Sequence, residues 1–522
     1  MYDFLTTGYL PGGFFCICRL LFDSFLSIIY EERYFIRKAG TYMDLIQNTD
    51  PHTHTIRRRK RSKMQIFKEA YLPLIIVTIT FILLVVFIVG GIRRIPASQE
   101  TNADTQPSDS TDATTGTTLP TLEFQAEADA LMAQAEQLTL DYDYAGAIAL
   151  LETFPGDKNL YPDLKAMYED YTAYLQTMVA WEGSQVANLS VHLLIPDPQR
   201  AFNDDVYGRS YQNNFLTTTE FSAILQQLYD NGYMLVSLSD LYELQYDETS
   251  GRDIYVAKTL LLPPGKTPVM LTETNANYYT YMTDSNNDGK PDAGADGFAY
   301  KLCYDGTSFY NELIRPDGGV STGAFDLVPL LENFIAQHPD FSYRNARAII
   351  AFSGYDGILG YRLYSSKLTP AQQQEEQAAA AAVVQALRDT GYEIACFSYG
   401  SFAKGTLNYA DMTPEDIKTD LQKWAENITP IIGETNIMVF SKEADIAGTD
   451  SYIGNSKFNV MYNAGYRFFL GSGETSWDQV DNLYVRQNRI MVTGAYLKKY
   501  PARYAALFDA AAVLDPYRSN FT

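Results

Sequence analysis

Three hydrophobic patterns divide the chain. The first is a continuous run, YLPLIIVTITFILLVVFIVGGI, which spans residues 71–92 and carries no charge over its 22 positions. At about 1.5 Å of rise per residue it is long enough for a hydrocarbon core of about 30 Å. A helix of a water-soluble domain is apolar along one stripe, not on every side for that length. The run therefore predicts a single membrane span. The basic cluster RRRKRSK (57–63) precedes it and only Arg93 and Arg94 follow. Residues 1–70 are thus expected to stay cytoplasmic and the C-terminal side to be extracellular. No small-residue cleavage site follows closely, which argues against a signal peptide. The earlier stretch GGFFCICRLLFDSFLSIIY is broken by Arg19 and Asp23. Each would cost about 2.5–3.5 kcal/mol at a membrane centre, which argues against a second span. Translation from Met43 or Met64 would account for that stretch equally well.

The second pattern has helical spacing. Between it and the apolar run, residues 93–121 contain ASQETNADTQPSDSTDATTGTTLP, almost without large apolar side chains. Such a segment cannot bury a core and is expected to be a disordered tether. Residues 122–182 then turn rich in Ala, Leu and Glu. Tyr144, Ala147, Ile148 and Leu151 share one helical face, and Pro155-Gly156 separates two helical runs. One such pair resembles a fragment of a tetratricopeptide-like hairpin but is not an array. A stalk that packs on the next domain is favoured over a peptide-binding module.

The third pattern fills residues 185–522: apolar strands alternating with amphipathic helices. Strands are expected within 186–196, at 234–238, 268–272, 348–352, 393–397, 436–440 and 467–471. Helices are expected at 217–231, where Phe221, Ile224, Leu225 and Leu228 follow the 3.6 period, and at 326–337. Two more open at Thr369-Pro370 and Thr413-Pro414, each with a capping threonine and proline at the first helical position. Repeated strand–helix alternation implies an α/β domain with a parallel sheet, doubly wound or closed into a barrel.

Charge narrows the partners. The formal net charge is −23, and residues 1–71 hold 11 Lys+Arg against 7 Asp+Glu, so the remainder is more acidic still. This argues against nucleic acid as a partner, since phosphate binding needs clustered Lys and Arg. Cys16, Cys18, Cys303 and Cys396 do not make a disulfide-stapled scaffold, and whether the last two pair stays open.

Several segments carry a resemblance to a known family. HLLIPDPQRAF, LTTTEFSAILQQLYDNGYMLVSLSDLYEL, PVMLTETNANYY, DGFAYKL and FSGYDGILGYR resemble a Firmicutes branch of the polysaccharide deacetylases. These are the NodB-homology enzymes, also called carbohydrate esterase family four. The resemblance covers about residues 185–518. It implies a distorted (β/α)7–8 barrel with its site at the C-terminal strand ends. It also implies hydrolysis of a C–N amide bond on a metal-activated water, usually with zinc, an Asp base, and one Asp and two His ligands.

The residues that would perform that chemistry are replaced. Where the family has Ser/Thr-Phe-Asp-Asp, the chain reads Thr272-Glu273-Thr274-Asn275. Thr274 stands at the base position and Asn275 at a ligand position. The histidine motif matches Phe397-Ser398-Tyr399-Gly400-Ser401, so Phe397 and Ser401 replace both imidazoles. The third motif falls on Val439–Glu443, where Lys442 would disfavour a cation. Of four histidines, His52 and His54 lie before the apolar run, and His192 and His338 are 146 residues apart. Two His ligands and a His acid therefore cannot be assembled, and no cofactor is expected at the barrel site. Glu273 remains a candidate base, although on a strand it points away from Thr274.

A separate loop contains Asp284, Asn286, Asp288, Asp292 and Asp296 around Gly289. These are oxygen ligands near calcium-loop spacing, but position twelve is Ala295 and flanking helices are not evident. Calcium loop and plain polar turn remain equal readings. The sequence expectation is a membrane-anchored, extracellular deacetylase-like protein without hydrolase activity that binds peptidoglycan, another envelope glycan or a protein partner. An active metal-dependent N-deacetylase with non-standard residues is one alternative. A scaffold acting through 122–182 is the other.

Overall fold

The computed structural model describes residues 123–181, 186–203, 207–283, 296–400, 408–441 and 444–520. Residues 1–122, with the expected cytoplasmic segment, membrane span and tether, lie outside them, as do Ser401, Lys442, Glu443 and the 284–295 part of the acidic loop. Among the described residues no helix is long and apolar enough to cross a membrane.

The helical segment forms three helices: α1 (Gln125–Leu140), α2 (Tyr144–Glu152) and α3 (Pro162–Thr177). Asp143 caps α2 through the Gly146 N–H, and Pro162 opens α3 where its missing N–H costs nothing. Ala147 and Leu151 are buried with Ala128, Ala135 and Leu164, while Tyr144 and Ile148 are only half-buried. The segment contacts the larger domain through stacked Tyr142 and Tyr343, 5.9 Å apart, and a 3.2 Å Arg344–Asp143 ion pair.

The larger domain is a closed seven-stranded parallel barrel. Its strands are β1 (Ala187–Val191), β2 (Thr267–Thr274), β3 (Ile349–Ser353), β4 (Glu393–Ser398), β5 (Ile437–Val439), β6 (Phe468–Gly473) and β7 (Val485–Met491). Each pairs in parallel with the next, and β7 returns to β1, so spatial order follows chain order. The barrel is distorted at one end. There Tyr233–Leu235 extends the sheet beside β2, and Asp478–Val480 runs antiparallel to β7.

Helices cover the outside: α4 (Thr218–Asp230), α5 (Leu327–Gln337), α6 (Pro370–Thr390), α7 (Pro414–Asn427), α8 (Ser456–Asn463) and α9 (Gly494–Lys499). Thr217 and Glu220 close a reciprocal capping box on α4, and Thr369 and Thr413 do the same for α6 and α7. The alternation of strand side chains separates two cores. Leu189, Leu271, Ile350, Phe352, Ile394 and Phe469 face the helices. Met270, Ile349, Ala351, Ala395, Val439, Leu470 and Val485 fill the lumen.

The differences from the sequence expectation have physical causes. The strand expected at 234–238 ends at Leu235, because Ser237 and Asp240 make a capping box for a short helix at Leu238–Leu241. Strand β7 reads VRQNRIM, and its polar lumen positions hide the strand signal. Between β2 and α5 the chain adds a three-stranded antiparallel sheet, Ala299–Tyr304, Phe309–Ile314 and Val320–Gly323. A hairpin, Tyr242–Asp247 with Arg252–Ala257, precedes β2. Cys303 and Cys396 are both buried and free, so they do not pair.

Candidate functional site

The C-terminal ends of β1, β2, β4 and β7 surround a cavity of about 340 Å³. Its wall includes His192, Thr274, Asn275, Phe397, Phe440 and Arg489, with Phe215, Tyr279 and Tyr281 at the side. Three of the sequence-derived positions, Thr274, Asn275 and Phe397, thus converge.

Each side chain is held by its strand. Thr274 ends β2, facing the lumen side, and its Oγ1 donates to the Val191 carbonyl at 2.9 Å. Asn275 follows with φ 64°, a left-handed conformation that Asn tolerates better than most residues. Its Oδ1 accepts from the Tyr279 hydroxyl at 2.5 Å, which orients the amide. Arg489 on β7 is 1 % exposed. Its guanidinium donates to Ser190 Oγ at 3.0 Å, the Gly471 carbonyl at 3.0 Å, the Phe440 carbonyl at 3.1 Å and Ser472 Oγ at 3.2 Å.

His192 follows β1, with Nδ1 2.9 Å from Thr274 Oγ1. Burial lowers its pKa to about 4; the Thr274 backbone beside the ring opposes the fall, and the nearby Arg489 charge adds to it. The imidazole is therefore neutral at physiological pH. Burial also raises the Tyr281 phenol to about 12 and pushes Tyr279 further up. Both phenols stay protonated donors.

Glu273 lies elsewhere. It is buried on the helix-facing side of β2 and pairs with Asp326, the N-cap of α5. Burial first, and the Asp326 charge second, hold its carboxyl well above the usual range. Asp326 Oδ1 accepts from the Leu194 and Leu327 N–H groups at 2.8 and 2.9 Å. Glu273 Oε1 has the Asp326 carboxyl as its neighbour, and Asp326 also faces the Tyr278 hydroxyl, so a proton held between the two acids satisfies Glu273. Glu273 is a structural acid, outside the cavity. Asp296, from the acidic loop, accepts the Tyr211 hydroxyl at 2.7 Å.

The donor set does not fit zinc. Such an ion takes thiolate, imidazole or carboxylate ligands in a tetrahedron. The described wall offers one imidazole, already committed at Nδ1, beside a guanidinium and no carboxylate or thiol. Among the described residues no group of three or more His, Cys, Asp or Glu side chains could hold a metal. Hydrogen bonding and aromatic contact are what the wall can supply. Sequence reasoning missed Arg489 and Tyr279, whereas Phe440 falls within the third motif at Val439–Glu443. Two arginines three apart in a short segment bounded by apolar residues, Arg486 and Arg489 in YVRQNRIMV, were the available signal for the first.

No family model matches the chain, and no curated protein does. Among solved structures it is similar to a de-N-acetylase from Aggregatibacter actinomycetemcomitans, at 12 % identity and a TM-score of 0.32, covering 59 % of this chain and 95 % of that one. At that score the likeness carries no argument about activity.

Proposed function

We propose that this protein is a deacetylase-like barrel that binds envelope carbohydrate without hydrolysing it, held at the outer face of the cell membrane by the apolar helix at 71–92. The observation that carries the reading is the make-up of the cavity. Aromatic faces (Phe215, Phe397, Phe440, Tyr281) and neutral hydrogen-bonding groups (His192, Asn275, Tyr279) line it, where a hydrolase would gather carboxylates and imidazoles around a metal. Sugar rings present apolar C–H faces and a rim of hydroxyls, which that combination complements. In this reading residues 1–70 are cytoplasmic, 93–121 form a tether, 122–182 a stalk, and 185–522 the binding domain. Calcium in the Asp284–Asp296 loop would be a structural ion.

The test uses the full-length purified protein. Zinc content by mass spectrometry is expected to be far below stoichiometric, with no acetate released from chitopentaose or peptidoglycan. Sedimentation with peptidoglycan, or titration with chitopentaose, is expected to show saturable binding. Stoichiometric zinc with metal-dependent acetate release would overturn the proposal, as would the absence of binding to any envelope glycan.

A further inference from the structure

The hydrogen bonds around Thr274 have a consequence for His192. The Thr274 hydroxyl has one proton, and its Oγ1 lies 2.9 Å from both the Val191 carbonyl and His192 Nδ1. A carbonyl only accepts, so the hydroxyl proton goes to Val191. Nδ1 must then carry the imidazole proton and donate it to Oγ1. That leaves Nε2 as a lone pair. Nε2 makes no hydrogen bond among the described residues, and it is not one of the enclosed unpartnered atoms, so it is open to the cavity that the ring lines. Beside it, the Tyr279 hydroxyl takes up the Asn275 oxygen and leaves the Asn275 Nδ2–H groups for the cavity.

We propose that His192 is the residue through which the cavity recognises its ligand: Thr274 locks it as the Nδ1–H tautomer, and Nε2 accepts a hydrogen bond from a ligand O–H or N–H. Asn275 supplies the matching donor. A sugar hydroxyl can meet both groups, since it donates and accepts at once; an acylamino group can do so with its N–H and its C=O. Thr274, which cannot act as a base, is a positioning residue. The inference rests on the carbohydrate reading above, and it adds the atom that does the recognising.

The experiment follows 15N-histidine-labelled full-length protein by NMR, with His192→Phe assigning the signal. His192 is expected to show a protonated Nδ1 and a bare, pyridine-like Nε2. Chitopentaose and cellopentaose are then titrated: chitopentaose carries acylamino groups and hydroxyls, cellopentaose hydroxyls alone. Binding shifts Nε2 more than Nδ1, and the tighter oligomer identifies the donor. His192→Phe is expected to weaken binding about tenfold, the worth of one hydrogen bond left unmade in an enclosed site. Thr274→Val is expected to mix the tautomers and weaken binding severalfold, and Thr274→Ser to restore both. The Val/Ser contrast keeps the test decisive if His192→Phe fails to fold. A protonated Nε2 in the parent protein overturns the inference whatever binds, as does binding that Thr274→Val and His192→Phe leave unchanged. If neither oligomer binds while the tautomer is as expected, the carbohydrate reading falls, and the recognition role with it.

Discussion

The two halves of the barrel lumen are built from opposite materials. On β3 to β6 the inward side chains are mostly apolar, among them Ile349, Ala351, Ala395, Phe397, Val439 and Leu470, with Ser472 reaching across to Arg489 at the end of β6. On β7, β1 and β2, above Val485 and Met270 at the strand starts, they are Gln487, Arg489, Asn188, Ser190, Thr272 and Thr274, all buried. The second half is tied together by side-chain bonds. Thr272 Oγ1 donates to Asn188 Oδ1 at 2.7 Å, and Asn188 Nδ2 donates to Gln487 Oε1 at 2.9 Å. The polar half leads into His192, Thr274 and Arg489, the hydrogen-bonding wall of the cavity. The apolar half ends in Phe397. A barrel closes around either kind of lumen when every buried polar group finds a partner, because the cost lies in leaving it unpaired. What differs is specificity: the polar half directs hydrogen bonds toward a ligand, and the apolar half supplies a face.

Four changes would break or sharpen that contrast. The largest effect is expected from Arg489→Leu, which leaves two carbonyls and two hydroxyls without their donor. We expect a loss of about 4 kcal/mol in urea unfolding, together with loss of glycan binding. A neutral result would mean that the polar half is not held by this residue. Leu470→Ala, on the dry side, should cost about 3 kcal/mol through its cavity. It should leave binding intact, so a loss of binding there would blur the division.

Glu273→Gln tests the carboxyl pair on the outer face of β2. Its folded pKa lies above the ordinary value of 4.5, so the native state holds more protons than the unfolded one above that pH. The stability it contributes is complete below pH 4.5 and is lost as pH rises through the folded value. Stability of the parent should therefore fall with rising pH relative to the variant, whose amide can still donate to Asp326. Parallel stability–pH curves would show that the pair does not share a proton. The smallest effect is expected from Thr272→Val, about 1 kcal/mol for one lumen hydrogen bond, with binding unchanged.

The capped helices and the strands packed among them were legible because their signals are local. Thr217, Thr369 and Thr413 each announce a helix start within four residues. The apolar strands β3 to β6 stand out as short hydrophobic runs. Strand β7 was not legible, since Gln487 and Arg489 are strand residues only when a closed lumen satisfies them, and Arg486 only when the 445–452 loop and Tyr452 cover it from outside. The three-stranded sheet at Ala299–Gly323 was likewise hidden in a polar stretch. At the site, Thr274, Asn275 and Phe397 were found as positions where a familiar pattern had been replaced. His192 was legible only as one of two histidines too far apart in the chain to share a metal, because nothing around it in the chain shows that it stands beside Thr274.

By itself, then, the sequence determined the alternation of strands and helices, the helix caps, and which acids and imidazoles a metal site would lack. These depend on residue type and short spacing. Only the tertiary structure decided that the sheet closes through a polar β7, that Glu273 turns outward to Asp326, and that His192 and Thr274 share a hydrogen bond across 82 positions of chain. Those outcomes depend on strand order and register, which bring distant residues onto one face, and no local pattern encodes them.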